Sequence, residues 1–214
     1  SPATVLAQDA ARVEALAAEH GAVDLVGHSY GAAVALRVAL ARPEHVRSLA
    51  LYEPVVFGLL RHASADAAHW EEIGQAGRRF ASSTRRNQVL AAGRDFVDFW
   101  SGAGRWRALG AERQWAVARR MPTIVAHFES LFGWAADGLA TLTQPVLLMH
   151  GNRTRAVAAR VAVRLGERLR NVLPATVGGA GHMGPVTHAA AVNAQIAAFL
   201  RGRASLAPVL AQAA

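Results

Sequence analysis

Short apolar runs alternate with helical patterns over most of this chain. The runs are rich in valine and leucine, and they predict four strands at 23–26, 46–52, 145–150 and 172–177. Apolar residues recur at helical spacing between these runs, which predicts helices at about 3–20, 30–41, 156–169 and 187–200. Such alternation is typical of parallel strands joined by helices, so the pattern predicts an α/β fold with a mostly parallel sheet of about four strands.

The segment from Val55 to about Leu142 has a different character. Strand signals disappear, and helical patterns follow one another across breaks marked by glycine or proline. All five tryptophans and six of the seven phenylalanines fall in this segment. Because it follows the C-terminal end of a strand, we expect it to form a helical cap over that end of the sheet. Many of its rings hold the small helices together, and we expect only a minority to face a substrate.

The length and composition are sufficient for one sizeable buried core. The chain has 214 residues, of which 52% are hydrophobic. We expect a core formed by 1–54 and 143–202, a cap formed by 55–142, and a loose tail at 203–214.

The net charge of +8 does not by itself indicate a nucleic-acid surface. All 23 basic residues are arginines, and they are dispersed in isolated pairs such as Arg78-Arg79, without a nucleic-acid-binding motif around them. We therefore predict no nucleic-acid partner. No apolar run is long enough to span a bilayer, which predicts no membrane partner. The absence of cysteine excludes disulfides and thiolate metal sites.

The segment Val23–Leu36 carries the most informative motif. An apolar strand pattern leads into Gly27-His28-Ser29-Tyr30-Gly31, and an alanine-rich helical pattern follows. Such a tight turn exposes a serine hydroxyl at its apex, in front of the positive end of the following helix. The glycines at 27 and 31 are predicted to let strand and helix pack closely. The alternative is an ordinary strand-to-helix turn.

This segment resembles the nucleophile elbow of the α/β-hydrolase superfamily, and the resemblance implies that Ser29 is a nucleophile. It also places the base in a loop between the last strand and the last helix. His182 lies there, in Gly178-Gly179-Ala180-Gly181-His182. The alternatives are that His182 is a surface residue in a turn, or that His188 is the base, although His188 falls within the last helical pattern. His28 is expected to support the elbow.

The acid of the triad departs from the commonest pattern of the superfamily. Many members place an aspartate after the strand that ends here at His150-Gly151, but no aspartate follows Asp137, and Glu167 lies within a helix. We expect Glu53 to replace it, because it ends the strand after the nucleophile's helix. That segment is similar to haloalkane dehalogenases, some of which use a glutamate there. The alternative is a surface residue at the start of the cap.

The oxyanion hole is expected to be incomplete. The backbone N–H of Tyr30 is the predicted first donor, whereas relatives take the second from a loop after an earlier strand. Only 28 residues precede Ser29, so we expect an N-terminally truncated α/β-hydrolase fold that lacks its first strands. The first strand then leaves an exposed sheet edge, which favours self-association. We expect this chain alone to be weakly active or inactive.

The resemblance implies a serine hydrolase that needs no cofactor and no metal. The aromatic cap favours a small apolar or aromatic ester as the substrate, and carbon–carbon bond hydrolases and cofactor-free haloperoxidases share the same machinery. Serine at the elbow, in place of aspartate, argues against dehalogenation. The alternatives are a hydrolase-like ligand-binding protein, an inactive fragment or an interaction scaffold. With no signal peptide visible, we expect a cytoplasmic location.

Overall fold

The computed structural model describes residues 4–211, with side-chain environments up to residue 202. The strands are β1 Val23–His28, β2 Val46–Tyr52, β3 Val146–Gly151 and β4 Val172–Val177. The helices are α1 Val5–His20, α2 Tyr30–Ala41, α3 Ala67–Arg85, α4 Val89–Ser101, α5 Ala111–Ala118, α6 Met121–Phe132, α7 Ala156–Gly166, α8 Gly184–Thr187 and α9 Ala189–Ala211. Short 3₁₀ helices span Pro43–His45, Phe57–Leu60, Ser64–Asp66 and Leu139–Thr141.

The four strands form one parallel sheet in the order β1-β2-β3-β4, which confirms the predicted fold class. The register places Tyr52 beside both His28 and Met149. Beyond the strands, the Ser29 amide donates to the Tyr52 carbonyl (3.0 Å) and the Glu53 amide donates to the Met149 carbonyl (2.9 Å). The residues that follow β1 and β2 therefore lie side by side at the carboxyl ends of the strands.

Alternate residues of the strands pack against opposite layers. Leu49 and Leu51 belong to a large core that includes Leu36 of α2 and Val161 of α7. Ala50, Tyr52, Leu147 and Met149 form a smaller core on the other face with Val192 of α9. This alternation follows from the two-residue period of a strand, and it explains why β2 is apolar from Leu49 to Tyr52.

Residues between β2 and β3 form the helices α3–α6. This segment is attached to the sheet layer by a buried carboxylate: Asp66 is fully buried and accepts hydrogen bonds from Arg160 and Arg164 of α7. A buried charge requires such partners, because its hydration is lost. The division into a separate core and cap stays a prediction.

The last helix extends further than the sequence pattern predicted, and the loose tail at 203–214 stays a prediction. Helix α9 continues to Ala211, whereas the pattern predicted its end near Leu200 and a tail at 203–214. Several of the residues after Leu200 are alanine or leucine, which favour a helix. Residues 212–214 lie outside the described part of the chain. None of the described helices is both long enough and apolar enough to cross a membrane.

Strand β1 is hydrogen-bonded to β2 on one side and has no second neighbour among residues 4–211. Val26 pairs in register with Ala50, which belongs to the smaller core, yet Val26 itself is 57% exposed. An exposed edge strand with an apolar side chain favours pairing with another chain. We therefore still predict self-association through β1.

Two side chains at the strand ends hold the loop between β4 and α8. His28 Nε2 donates to the carbonyl oxygen of His182 (2.8 Å), and Tyr52 Oη donates to that of Gly181 (2.8 Å). Burial, with a smaller contribution from the nearby His182 ring, lowers the pKa of His28 from 6.5 to about 4. The neutral ring is therefore the form that supports the fold.

We expect Val26→Lys to reduce concentration-dependent self-association, because a charge on an edge strand opposes pairing. Sedimentation velocity over a range of protein concentrations measures the effect. Leu173→Lys is the matched control, since Leu173 lies on β4 at the opposite edge and is 55% exposed. A wild-type chain that stays monomeric throughout contradicts the prediction, as does a Val26→Lys variant that still associates.

We expect acid to destabilise the protein partly through His28. Between about pH 6.5 and pH 4 the unfolded chain binds a proton at His28 that the folded chain excludes, so stability falls as the pH falls, by up to about 3 kcal/mol. His28→Gln keeps a donor for the His182 carbonyl but removes this titration.

Urea unfolding at about pH 7 and about pH 4.5 measures the difference between the two free energies of unfolding. His28→Gln should lose less stability on acidification than the wild type. The control is His20→Gln, an exposed position at the end of α1, which should behave as the wild type does. Equal losses in all three proteins exclude His28 as the titrating group.

Candidate active site

Ser29 lies at the apex of a strained turn between β1 and α2. Its backbone has φ 55° and ψ −118°, a sparsely populated conformation for a residue with a side chain. The Ser29 carbonyl accepts the amides of Ala32 (3.1 Å) and Ala33 (3.2 Å), which starts the helix directly behind the serine. The sequence motif therefore folds as the predicted elbow.

Only one of the two predicted glycine contacts is present. A Cβ on Gly27 would lie 2.6 Å from Ala32 Cα, so the close approach of β1 and α2 requires glycine at position 27. A Cβ on Gly31 would have no described atom within 4 Å other than its chain neighbours and the adjacent backbone of α2. The prediction for Gly31 was wrong, because this position faces open space.

The structure brings together Ser29, His182 and Glu53. The Ser29 hydroxyl lies 3.0 Å from Nε2 of His182, and Nδ1 of His182 lies 2.8 Å from Oε2 of Glu53. His182 is 5% exposed and Glu53 is fully buried. Since a carboxylate only accepts, Nδ1–H donates to Glu53 and leaves Nε2 to accept from the serine. This orientation is the one that general-base activation of a hydroxyl requires.

Glu53 is held by two further donors from the loop after β3. The Gly151 amide donates to Oε1 (2.9 Å), and the Thr154 hydroxyl donates to Oε2 (2.7 Å). Burial acts to raise the pKa of Glu53, but the hydrogen bonds from His182, Gly151 and Thr154, together with the electrostatic attraction of His182, outweigh it and lower the pKa below its usual value. The carboxylate therefore stays ionised, although it is fully buried.

Thr154 was missed by the sequence reasoning. The loop Gly151-Asn152-Arg153-Thr154 occupies the position where many relatives carry an aspartate, and here it donates hydrogen bonds to an acid from the neighbouring strand. The sequence feature that could have identified Thr154 is a hydroxyl residue shortly after a strand, near the same strand ends as Glu53. Thr154 lies among amide and charged residues, as an ordinary loop threonine does, so the sequence did not distinguish it.

The loop that carries His182 is packed closely against its neighbours. A Cβ on Gly184 would lie 2.0 Å from Tyr52 Oη, and one on Gly151 would lie 2.1 Å from the Ala180 carbonyl oxygen. Glycine is therefore needed at both positions for the imidazole to reach the elbow. The competing histidine, His188, instead lies 2.8 Å from the Thr187 hydroxyl through Nδ1.

Tyr30 follows Ser29 and is the first residue of α2. The N–H groups of a first helical turn lack partners within the helix, so this amide suits the predicted role of oxyanion donor. Its side chain is anchored on both sides: Oη donates to Asp9 Oδ2 (2.9 Å), and the ring stacks on His127 of α6 with a centroid separation of 3.7 Å. Burial and the Asp9 hydrogen bond raise the pKa of Tyr30, so the phenol stays protonated.

The helices between β2 and β3 also contribute a side chain to the site. Trp100 of α4 stacks on the His182 imidazole, with ring centroids 4.0 Å apart and planes inclined by 25°. Only a minority of the rings in this segment were expected to face a substrate, and no sequence signal distinguished Trp100 from the others. Among residues 4–202, no group of three or more histidine, aspartate and glutamate side chains is arranged to hold a metal ion.

Comparison with known sequences identifies related proteins. Residues 1–195 match the sequence model of the alpha/beta hydrolase family. The chain is 29% identical over 182 residues to N-formylmaleamate deformylase of Pseudomonas putida KT2440, which covers 82% of this chain and 63% of the relative. The chain therefore spans less than two thirds of that relative's length.

Solved structures share the fold. Bromoperoxidase from Bacillus anthracis superposes with a TM-score of 0.70 at 18% identity, covering 90% of this chain and 72% of its own. A meta-cleavage product hydrolase from Pseudomonas fluorescens IP01 gives a TM-score of 0.62 at 15% identity, with coverages of 95% and 74%. Together with the match over residues 1–195, the fold and the elbow identify this chain as a member of the alpha/beta hydrolase family.

Proposed function

We propose that this chain carries the active site of a serine hydrolase that acts on a small apolar or aromatic ester without a cofactor. The observation that carries the proposal is the continuous hydrogen-bonded chain from Glu53 through His182 to Ser29. A serine hydroxyl is a weak nucleophile unless a base removes its proton, and the base must be held in the correct tautomer. Both requirements agree with the observed geometry.

In the acylation step, Ser29 Oγ bonds to the ester carbonyl carbon while its proton passes to Nε2 of His182. The carbonyl electrons move onto oxygen, where the Tyr30 amide and the N-terminal end of α2 stabilise the negative charge. The bond between carbon and the leaving oxygen then breaks, and Nε2 returns the proton to the departing alcohol. The ionised Glu53 stabilises the imidazolium while it exists.

Deacylation repeats the sequence with water. Nε2 takes a proton from a water molecule as its oxygen attacks the acyl carbon, the bond to Ser29 Oγ breaks, and the serine recovers the proton. The products are a carboxylic acid and the free enzyme. No step requires a redox change, which suits a site built from serine, histidine and glutamate alone.

A second candidate substrate is an N-formyl amide. It is favoured by the 29% identity with N-formylmaleamate deformylase. The same residues serve both reactions, since the leaving group receives its proton from His182 in either case. Parallel assays with p-nitrophenyl acetate and an N-formyl amide distinguish the two candidates by their kcat/KM values.

We expect a fluorophosphonate probe to label Ser29 of the wild-type chain slowly, because the probe phosphonylates an activated serine and this chain is expected to be only weakly active. Ser29→Ala should not react. Glu53→Gln should react about 10²- to 10⁴-fold more slowly, since the imidazole loses the acceptor that fixes its tautomer. Intact-protein mass spectrometry follows the rate, and peptide mapping locates the adduct.

Glu167→Gln is the matched control for Glu53→Gln, since Glu167 is half-exposed and pairs with Arg164 on α7. This variant should react at the wild-type rate. A wild-type chain that binds the ester but is not labelled by the probe would favour the ligand-binding alternative. Equal labelling of wild type and Ser29→Ala would refute the serine mechanism.

A further inference from the structure

We propose that Trp100 is a positioning residue of the reaction: its indole ring stabilises the imidazolium form of His182 and fixes the plane of that ring. The inference rests on the proposed function, because it concerns the base of the same site. The two rings stack with centroids 4.0 Å apart, and both are buried, with exposures of 6% for Trp100 and 5% for His182.

The physical basis is a change of charge during the reaction. His182 is neutral before attack and positive while it holds the serine proton. The face of an indole ring is electron-rich, and it attracts a cation far more strongly than a neutral ring. The contact therefore stabilises the charged state selectively, and a contact that is stronger in the transition state raises kcat. Glu53 acts in the plane of the imidazole and Trp100 acts on its face.

Trp100 is held in this position by its neighbour in α4. The Phe99 ring meets Trp100 edge-on, with centroids 4.9 Å apart. The Arg155 guanidinium lies 4.1 Å from the Phe99 ring centroid and donates to the Phe99 carbonyl (3.2 Å). Arg155 also pairs with Glu72 of α3. Helix α4 is therefore fixed against the loop after β3.

The same loop holds the acid. Thr154, which donates to Glu53, directly precedes Arg155. The segment Thr154-Arg155 thus helps to place the Glu53 carboxylate at Nδ1 of His182. Through Phe99 it also places the Trp100 indole on the face of the His182 imidazole. The tryptophan is set by the same scaffold as the triad, which is expected of a contact that positions the base.

The experiment compares kcat and KM for p-nitrophenyl acetate in three variants. Trp100→Leu should lower kcat about 3- to 30-fold while KM changes less than about twofold. Trp100→Phe keeps an aromatic face and should recover most of the loss. Trp106→Leu is the matched control: Trp106 lies in the same segment and is 8% exposed, but it packs beside Gly93. It should retain the wild-type kcat.

An NMR signature separates positioning from general loss of packing. The indole ring current shifts the His182 ring protons upfield, and these signals are identified by their absence in His182→Asn. They should move downfield in Trp100→Leu and stay in place in Trp106→Leu. If Trp100→Leu does not fold, the smaller kcat loss and shift change of Trp100→Phe carry the test.

Wild-type kcat in both Trp100 variants overturns the inference, as does a raised KM at constant kcat, which would make Trp100 a wall of the substrate pocket. Failure of the proposed function is a separate result: Ser29→Ala would then hydrolyse the ester as fast as the wild type. If Ser29→Ala is inactive, the proposed function holds, and the Trp100 variants then test only the role of Trp100.

Discussion

The Glu53 carboxylate is fully buried, and three hydrogen-bond donors converge on it and help to keep it ionised. His182, Gly151 and Thr154 supply these hydrogen bonds, and without them burial would favour the neutral acid. The charge then holds the imidazole with its second nitrogen towards Ser29. The arrangement of the site follows from satisfying this one buried group.

The parallel sheet makes that convergence possible. The residues that follow β1, β2, β3 and β4 all leave the sheet at the carboxyl ends of its parallel strands. A serine, a glutamate, a donor loop and a histidine therefore meet there, although they are far apart in the chain. Because β1 and β2 are neighbours, Ser29 and Glu53 stand on adjacent strand ends. An acid directly after β2 can then replace one after β3, provided that the loop after β3 supplies donors.

The sequence was sufficient for the features that depend on local pattern. Strand and helix periodicity predicted the sheet, and the glycine-flanked serine predicted the elbow. The lack of any aspartate after Asp137 favoured Glu53 as the acid. Contacts that depend on the exact packing of distant elements were not accessible. Trp100 is one of five tryptophans in a helical segment, and only the docking of α4 selects it. Gly31 shows the opposite error, since a motif glycine need not have a steric role at each position.

The tautomer of His182 tests the central claim most directly. Long-range ¹H–¹⁵N NMR of the histidine-labelled protein at a pH where His182 is neutral shows which ring nitrogen carries the proton. The account predicts the proton on Nδ1, donated to Glu53, and its redistribution in Glu53→Gln. A neutral His182 with the proton on Nε2 in the wild type would contradict the account, because that nitrogen could not accept the proton of Ser29.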